Sequence, residues 1–363
     1  MYNLTEIVKE QLEKAIKDRG EVNILVAGKT GVGKSTLINA VFQGNYADTG
    51  QGKPVTQNTR KITKEGIPLS LYDTRGLELK EFKTNLKEIE DIVKELKSDK
   101  DPKKHIHAAW ICIDENSRRV EDAEIELCEM LSNHLPVIGV ITKCISDNNF
   151  KAEVQDILRP SKNVVRTNSI SRILDDGHII QPTGLENLVD LTMEIIPEGQ
   201  QNAFAAAQKV SSKQKLRKAH KIVAAAATFS AGTGASPIPF SDAIALVATQ
   251  VGMLASITAV FGIELKKSFL FTLVSSTLTG AGATLAGKTV VANLMKFFPG
   301  AGTVAGGVIS ASTAAFLTTA FGEAYIGTLN QLTKDKNINE IGTDEIVREF
   351  KSKLKIGEQK PVN

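Results

Sequence analysis

Cysteine and histidine are scarce in this chain. Cys112, Cys128 and Cys144 recur sixteen residues apart with no C-x-x-C pair, and the five histidines make no ligand-spaced cluster with them. That excludes a disulfide framework and a thiolate–imidazole zinc site, and it suits a reduced, intracellular protein with Cys112 as a core residue of a strand. The first twenty residues lack the apolar core of a secretory leader. They read instead as an amphipathic helix with Leu4, Ile7, Val8, Leu12, Ala15 and Ile16 on one face and Gly20 as its stop. Charge is also missing from one long stretch. Between Ile222 and Thr333 only Asp242, Glu264, Lys266, Lys267, Lys288, Lys296 and Glu323 are charged.

At 363 residues the chain exceeds one ordinary core, so two domains are expected. Residues 1–200 carry 27 Lys and Arg against 32 Asp and Glu, and residues 201–363 carry 17 against 9. The basic second half suits either an anionic surface or ordinary solvated faces.

Gly28 to Ser35 reads G-K-T-G-V-G-K-S and fits the phosphate-loop pattern at every specified position. Gly28, Gly31 and Gly33 let the backbone of Lys29, Thr30 and Val32 turn its N–H groups inward on phosphate oxygens. Lys34 reaches the β- and γ-phosphates, Ser35 offers its hydroxyl to Mg²⁺, and Thr36 sits in the first turn of the helix that follows. The flanks agree, with the apolar run Val22 to Ala27 before the loop and helical spacing from Ser35 to Phe42 after it. A bound nucleoside triphosphate is the expectation.

The polar stretch Gln43 to Arg60 contains Thr56 and Thr59, either of which could bind Mg²⁺ and sense the γ-phosphate. Thr59 is preferred because a strand is predicted over Arg60 to Glu65. The next strand, Ile67 to Tyr72, runs into Asp73-Thr74-Arg75-Gly76. Here Asp73 can hold Mg²⁺ through water and Gly76 can present its N–H to the γ-phosphate. Arg75 reads either as a charge-stabilising group or as a solvated loop arginine.

The order of phosphate loop, Thr-bearing loop and D-T-R-G resembles the Era-like branch of translation-factor-related P-loop GTPases over residues 20 to 197. The loop spelling is also seen in septin-like, Toc-like and interferon-inducible GTPases. The resemblance implies an α/β fold, a P-loop NTPase G domain with a mainly parallel sheet flanked by helices, and Mg²⁺-dependent hydrolysis of GTP to GDP coupled to two switch loops. Lys34, Thr59 and Gly76 would be the catalytic residues, and Ser35, Thr59 and Asp73 the metal-holding ones.

Two departures from that pattern stand out. The base-recognition motif [NT]-K-x-D becomes Thr142-Lys143-Cys144-Ile145, with Asp147 two residues beyond the expected carboxylate. Thr142 and Lys143 still frame the base, Asp147 reaches it only through a bulged loop, and Ser169 lies where the base-backing S-A-x motif falls. Position 77 is Leu rather than a water-orienting glutamine, and position 31 is Gly where potassium-activated members carry Asn. Slow intrinsic turnover, raised by self-association or a partner, is expected.

The remaining elements alternate as a parallel sheet requires: helix 82–96, strand 107–114, helix 120–131, strand 136–142, helix 150–158, strand 163–166, and a helix through Ile196 begun by the capping-box spacing of Thr183 to Glu186. After Pro197 the composition changes. Residues 200–221 form a basic helical connector, and residues 222–333 an Ala/Gly-rich all-α helical domain. Its uncharged runs, 222–241, 243–263, 268–287 and 297–322, each reach membrane-span length. Ser, Thr, Gly and Gln250 interrupt them, so a membrane-inserting hairpin and a tightly packed soluble bundle both fit. This half is similar to the Ala/Gly-rich domain of unknown function that follows Era-like G domains in many bacterial proteins, which implies membrane association. Residues 334–363 add a basic helix and tail, with Ile346, Val347, Phe350 and Leu354 on one face.

The expected organisation is therefore an N-terminal helix over 1–20, a G domain over 21–199, the connector, the helical domain and the tail. The expected function is a cytoplasmic GTP-binding GTPase at the inner face of the cell membrane, with a guanine nucleotide as ligand and self-association through the G domain. No nucleic-acid partner is expected. An oligomerising dynamin-like or interferon-inducible-like membrane-remodelling GTPase, and a soluble nucleotide-regulated scaffold with relaxed base choice, are the alternatives.

Overall fold

The computed structural model describes residues 4–44, 53–54, 59–74, 82–233, 241–279, 311–336 and 338–356. Two compact units emerge, one from Gly20–Ser211 and one from Met1–Arg19 with Ser212–Asn363.

In the first unit the apolar runs pair as anticipated. The main sheet has the order β2-β3-β4-β1-β5-β6-β7. The strands are β1 (Val22–Ala27), β2 (Lys53–Pro54), β3 (Thr59–Thr63), β4 (Leu69–Thr74), β5 (Ala108–Asp114), β6 (Val137–Thr142) and β7 (Asn163–Arg166). From β4 to β7 the pairing is parallel, and β2–β3–β4 is antiparallel. Strands β1 and β6 are buried at every position, as expected of central parallel strands covered on both faces. Helices α2 (Lys34–Val41), α3 (Phe82–Ser98), α4 (Asp122–Ser132), α5 (Phe150–Ile157), α6 (Leu185–Ile195) and α7 (Glu198–Ala207) belong to the same unit. Because β1 lies between β4 and β5, the loops after these three strands open at one edge, the usual position for a ligand in such a sheet.

Three local readings change. Strand β4 runs on to Thr74, two residues past the Tyr72 end of the apolar run, so Asp73 at its C-terminal edge pairs with Arg60 and Thr74 with Thr59. The capping box anticipated at Thr183 is not the start of α6. Gly184 is the N-cap at φ 77°, and Thr183 bridges Asn168 instead. A capping box does form at Glu121, whose side chain and that of Glu124 cap each other's backbone. A two-stranded antiparallel hairpin of β8 (Arg172–Ile173) and β9 (Ile179–Ile180) also forms, which the sequence pattern does not predict.

Packing divides the basic stretch 200–221 between the two units. Helix α7 stays on the sheet, where Phe204 meets Phe42 edge-on at 5.9 Å and Phe42 stacks on Trp110 at 5.5 Å. Gln208 then breaks the helix. Its Oε1 accepts from Val210 N–H and Ser211 N–H at 2.8 and 2.7 Å, so the chain turns before α8 (Ser212–Thr233) begins.

In the second unit α1 (Leu4–Arg19) and α8 join α9 (Ser241–Phe261), α10 (Lys267–Val274), α11 (Ala311–Asp335) and α12 (Thr343–Ile356) around one core. Leu4, Val8, Leu254, Phe269, Phe321, Tyr325 and Phe350 are among its members. Small residues permit close helix approach here. A Cβ at Gly322 of α11 would stand 2.6 Å from Val223 of α8 and 2.9 Å from Met253 of α9. No helix among the described residues is long and apolar enough to cross a membrane. The amphipathic tail helix α12 buries Ile346, Phe350 and Leu354 in this core, while Ile16, placed on the apolar face of α1 by its spacing, is exposed.

Candidate nucleotide site

The phosphate loop has the backbone its glycines were expected to allow. Gly28, Gly31 and Gly33 take φ 146°, 77° and 105°, in the region that disfavours side chains. At Gly28 space is decisive as well, because a Cβ would lie 2.6 Å from the Cys112 carbonyl oxygen. Gly33 is the N-cap of α2, so the first N–H groups of that helix face the loop. Lys34 curls back across the loop, and its Nζ donates to Gly28 O at 2.6 Å and Lys29 O at 2.9 Å. Thr30, Gly31, Ser35 and Thr36 are exposed and Val32 is buried beneath them. Lys29 is anchored by an ion pair with Glu121, whose carboxyl that contact holds below the usual range.

Asp73 pairs with Val26 across β1–β4, at the same sheet edge as the loop. Burial pushes the Cys112 thiol up to about 12, with Asp73 and Glu124 adding to the rise and Lys34 opposing it. The Cys112 thiol is inert packing. Ser35 and Asp73 supply hard oxygen donors, which suit Mg²⁺ held jointly with phosphate oxygens. No cluster of three or more His, Cys, Asp or Glu that could hold a metal occurs among the described residues. Thr59 is the first residue of β3, 1% exposed and paired with Thr74. Thr56, Arg75 and Gly76 lie outside the described residues.

The base-side loop follows β6. Thr142 Oγ1 lies 2.6 Å from Val32 O and 3.1 Å from Ile113 O, tying this loop to the phosphate loop. Lys143 takes φ 56° and donates to Asp114 at 2.5 Å. Burial raises the Asp114 carboxyl, but the hydrogen bonds from Lys143 and Asn116 and the Lys143 charge together outweigh it and leave the pKa lowered. The aliphatic stem of Lys143 passes near Gly33, where a Cβ would stand 3.7 Å from its Cε. Ile145, at the expected carboxylate position, is 49% exposed. Asp147 Oδ1 accepts from Lys151 N–H at 2.9 Å and lies 3.4 Å from Arg166 Nε, which turns it toward the protein. Asn148 and Asn149 at φ 43° and 65° supply the bulge between Asp147 and α5. Ser169 is half-buried beside Asn168, and Thr167 O accepts from Cys144 N–H at 3.1 Å, so the two base-side loops are joined.

Sequence reasoning overlooked Glu115, Arg118 and Arg166. Glu115 is 2% exposed, accepts from Ile145 N–H and Ser146 N–H at 2.5 and 3.0 Å, and receives Arg166 at 2.9 and 2.5 Å. Burial raises its carboxyl, yet these donors more than offset that and leave it lowered. Arg118 donates to Asp147 O at 2.7 Å and also to Ser146 O. The available signal was the second acidic residue, Glu115, directly after Asp114 at the end of an apolar strand.

Residues 23–143 match the family described as "50S ribosome-binding GTPase". Residues 20–211 have the P-loop GTPase fold, a mostly parallel sheet flanked by helices. Residues 199–355 match a "Domain of unknown function (DUF697)", which therefore begins inside α7, on the GTPase domain itself. The tRNA modification GTPase MnmE of Clostridioides difficile (strain 630) is 26% identical over 213 residues, 56% of this chain and 41% of that protein. Cell division control protein 10 of Saccharomyces cerevisiae (strain ATCC 204508 / S288c) is 27% identical over 166 residues, 37% of this chain and 51% of that protein. The chain thus spans about half or less of these relatives. A probable GTP-binding protein engB of known structure aligns with 48% of this chain and 98% of its own, at 18% identity and a TM-score of 0.33.

Proposed function

We propose that the GTPase domain binds GTP with Mg²⁺ and hydrolyses it slowly to GDP and phosphate, with the nucleotide state passed to the helical unit. The observation that carries this reading is Lys34 folded over the Gly28 and Lys29 carbonyls at the N-terminus of α2. An ammonium held there transfers to β- and γ-phosphate oxygens with little side-chain rearrangement, while loop N–H groups take the remaining oxygens. Ser35 and Asp73 would hold Mg²⁺, which supplies charge neutralisation at the phosphates. Thr59 joins them only when the end of β3 leaves its pairing with Thr74. Thr142, Lys143, Asp147 and Ser169 frame the base. Titration with fluorescent GTP in Mg²⁺, competed by GTP, ATP and XTP, tests it. Lys34→Ala should weaken GTP at least tenfold, since a charge-assisted contact of about 1.5–3 kcal/mol is removed. Unchanged affinity would overturn the reading.

Membrane association through residues 222–333 is the finer part of the proposal. Its support is the scarcity of charge in that stretch and the exposure of Phe229 and Phe316. Sedimentation with anionic liposomes checks it, and chain left wholly in the supernatant with either nucleotide argues against it. Self-association through the GTPase domain is checked by light scattering with GDP and with a non-hydrolysable GTP analogue.

A further inference from the structure

The loop that departs from the expected base-recognition motif is held by several charge-assisted hydrogen bonds. Its grip comes from below. Two successive N–H groups, those of Ile145 and Ser146, converge on one carboxylate oxygen of Glu115, while the other oxygen takes both nitrogens of the Arg166 fork. The carbonyls of Ser146 and Asp147 are taken by Arg118, whose guanidinium lies 5.5 Å from the ring centroid of Phe150. The three-residue turn 145–147 is therefore held on both backbone polarities by the segment that follows β5.

We infer that Glu115 is the positioning residue of the base-side loop, fixing Ile145 to Asp147 through their backbone and so setting the edge presented to a nucleobase. The inference rests on the nucleotide reading above. A buried carboxylate costs several kcal/mol unless paired and hydrogen-bonded, and a loop that only needed closure could turn its N–H groups to water at far lower cost. Here the charge is matched by Arg166, and Arg166 in turn reaches Asp147 at 3.4 Å. Glu115 thus controls the backbone of the loop directly and its one carboxylate side chain through Arg166. Ile145 needs no polar contact of its own in this arrangement, which accounts for an apolar residue at a position where a carboxylate was expected.

The test uses the full chain with two variants. E115M/R166M removes the carboxylate and its cation together, so that no uncompensated charge is left in the core, and E115Q keeps the shape and one acceptor oxygen. Affinity for Mg·GTP and for Mg·tripolyphosphate, a phosphate chain with no base, is measured by competition against fluorescent GTP, beside thermal melting. The double variant should lose about tenfold or more in GTP affinity with tripolyphosphate competition unchanged, and E115Q, whose amide NH2 must face either the two N–H groups or the Arg166 fork, should also lose GTP affinity selectively. Equal affinities in wild type and double variant would overturn the inference, as would a parallel loss for both ligands. Wild-type protein that binds neither ligand would overturn the nucleotide reading itself.

Discussion

Thr142 and Val32 link the two halves of the proposed nucleotide site, with the hydroxyl at the end of β6 standing 2.6 Å from a carbonyl oxygen inside the phosphate loop. Both residues are buried, so this bond is shielded from water. Thr142→Val keeps the shape and removes the donor, leaving the carbonyl unpaired. We expect a loss of about 1–3 kcal/mol in stability by chemical denaturation, together with weaker GTP binding. Unaltered stability would show that the contact is dispensable.

Gly28 admits no side chain. Its φ of 146° and the 2.6 Å approach of a Cβ to the Cys112 carbonyl act together. Gly28→Ala should destabilise the GTPase domain by roughly 1–3 kcal/mol, from backbone strain alone. Gly31, which has open space around it, should tolerate the same change better, at about 1 kcal/mol. Paired melting curves decide between them.

Trp110, the single tryptophan, is fully buried in β5, stacked on Phe42 and donating Nε1–H to Thr192 at 3.1 Å. Its emission should be blue-shifted in the folded protein and should report unfolding of residues 20–211 only. A denaturant series in which tryptophan fluorescence and helical circular dichroism coincide at every concentration would refute separate unfolding of the two units.

Lys215 is buried in the helical unit, donates to Phe261 O at 2.8 Å, and is lowered by burial to about 7 from 10.5. The folded state is therefore neutral at this group from about pH 7 upward, while the unfolded chain stays protonated up to about 10.5. Between these values unfolding takes up a proton, so stability should rise with pH, by up to about 1.4 kcal/mol per unit. Below pH 7 the slope from this group vanishes and its full penalty persists. Lys215→Met should flatten the slope between pH 7 and 10 relative to wild type. Parallel stability–pH curves for the two proteins would show that Lys215 does not carry it.

Helix α11 depends on a missing side chain. Gly322→Leu drives bulk into Val223 and Met253 and should lower stability by about 1–3 kcal/mol or more. Gly327 of the same helix faces only the flexible Lys353 side chain at 3.8 Å, so Gly327→Ala should be neutral or stabilising. Equal melting temperatures for the two variants would contradict this packing.

The sequence alone determined what depends on local pattern. The phosphate loop, the buried strands over 22–27, 107–114 and 136–142 and the amphipathic helices at both ends follow from spacing and from residue types that only certain backbones accept. The charge-poor half was equally plain from composition. What the fold alone decided depends on residues far apart in the chain. Nothing near Glu115 announces that it will meet the amides of 145 and 146 and the guanidinium of 166. Nor does the polar spelling of 200–221 reveal that Phe204 packs on Phe42 while Lys215 is buried among the helices that follow. The apolar pattern places Thr59 just before one strand and Asp73 at the edge of another, and only the sheet decides that Thr59 pairs with Thr74 and Asp73 with Arg60. Local periodicity states which face of an element is apolar, and only the packed chain states what that face meets.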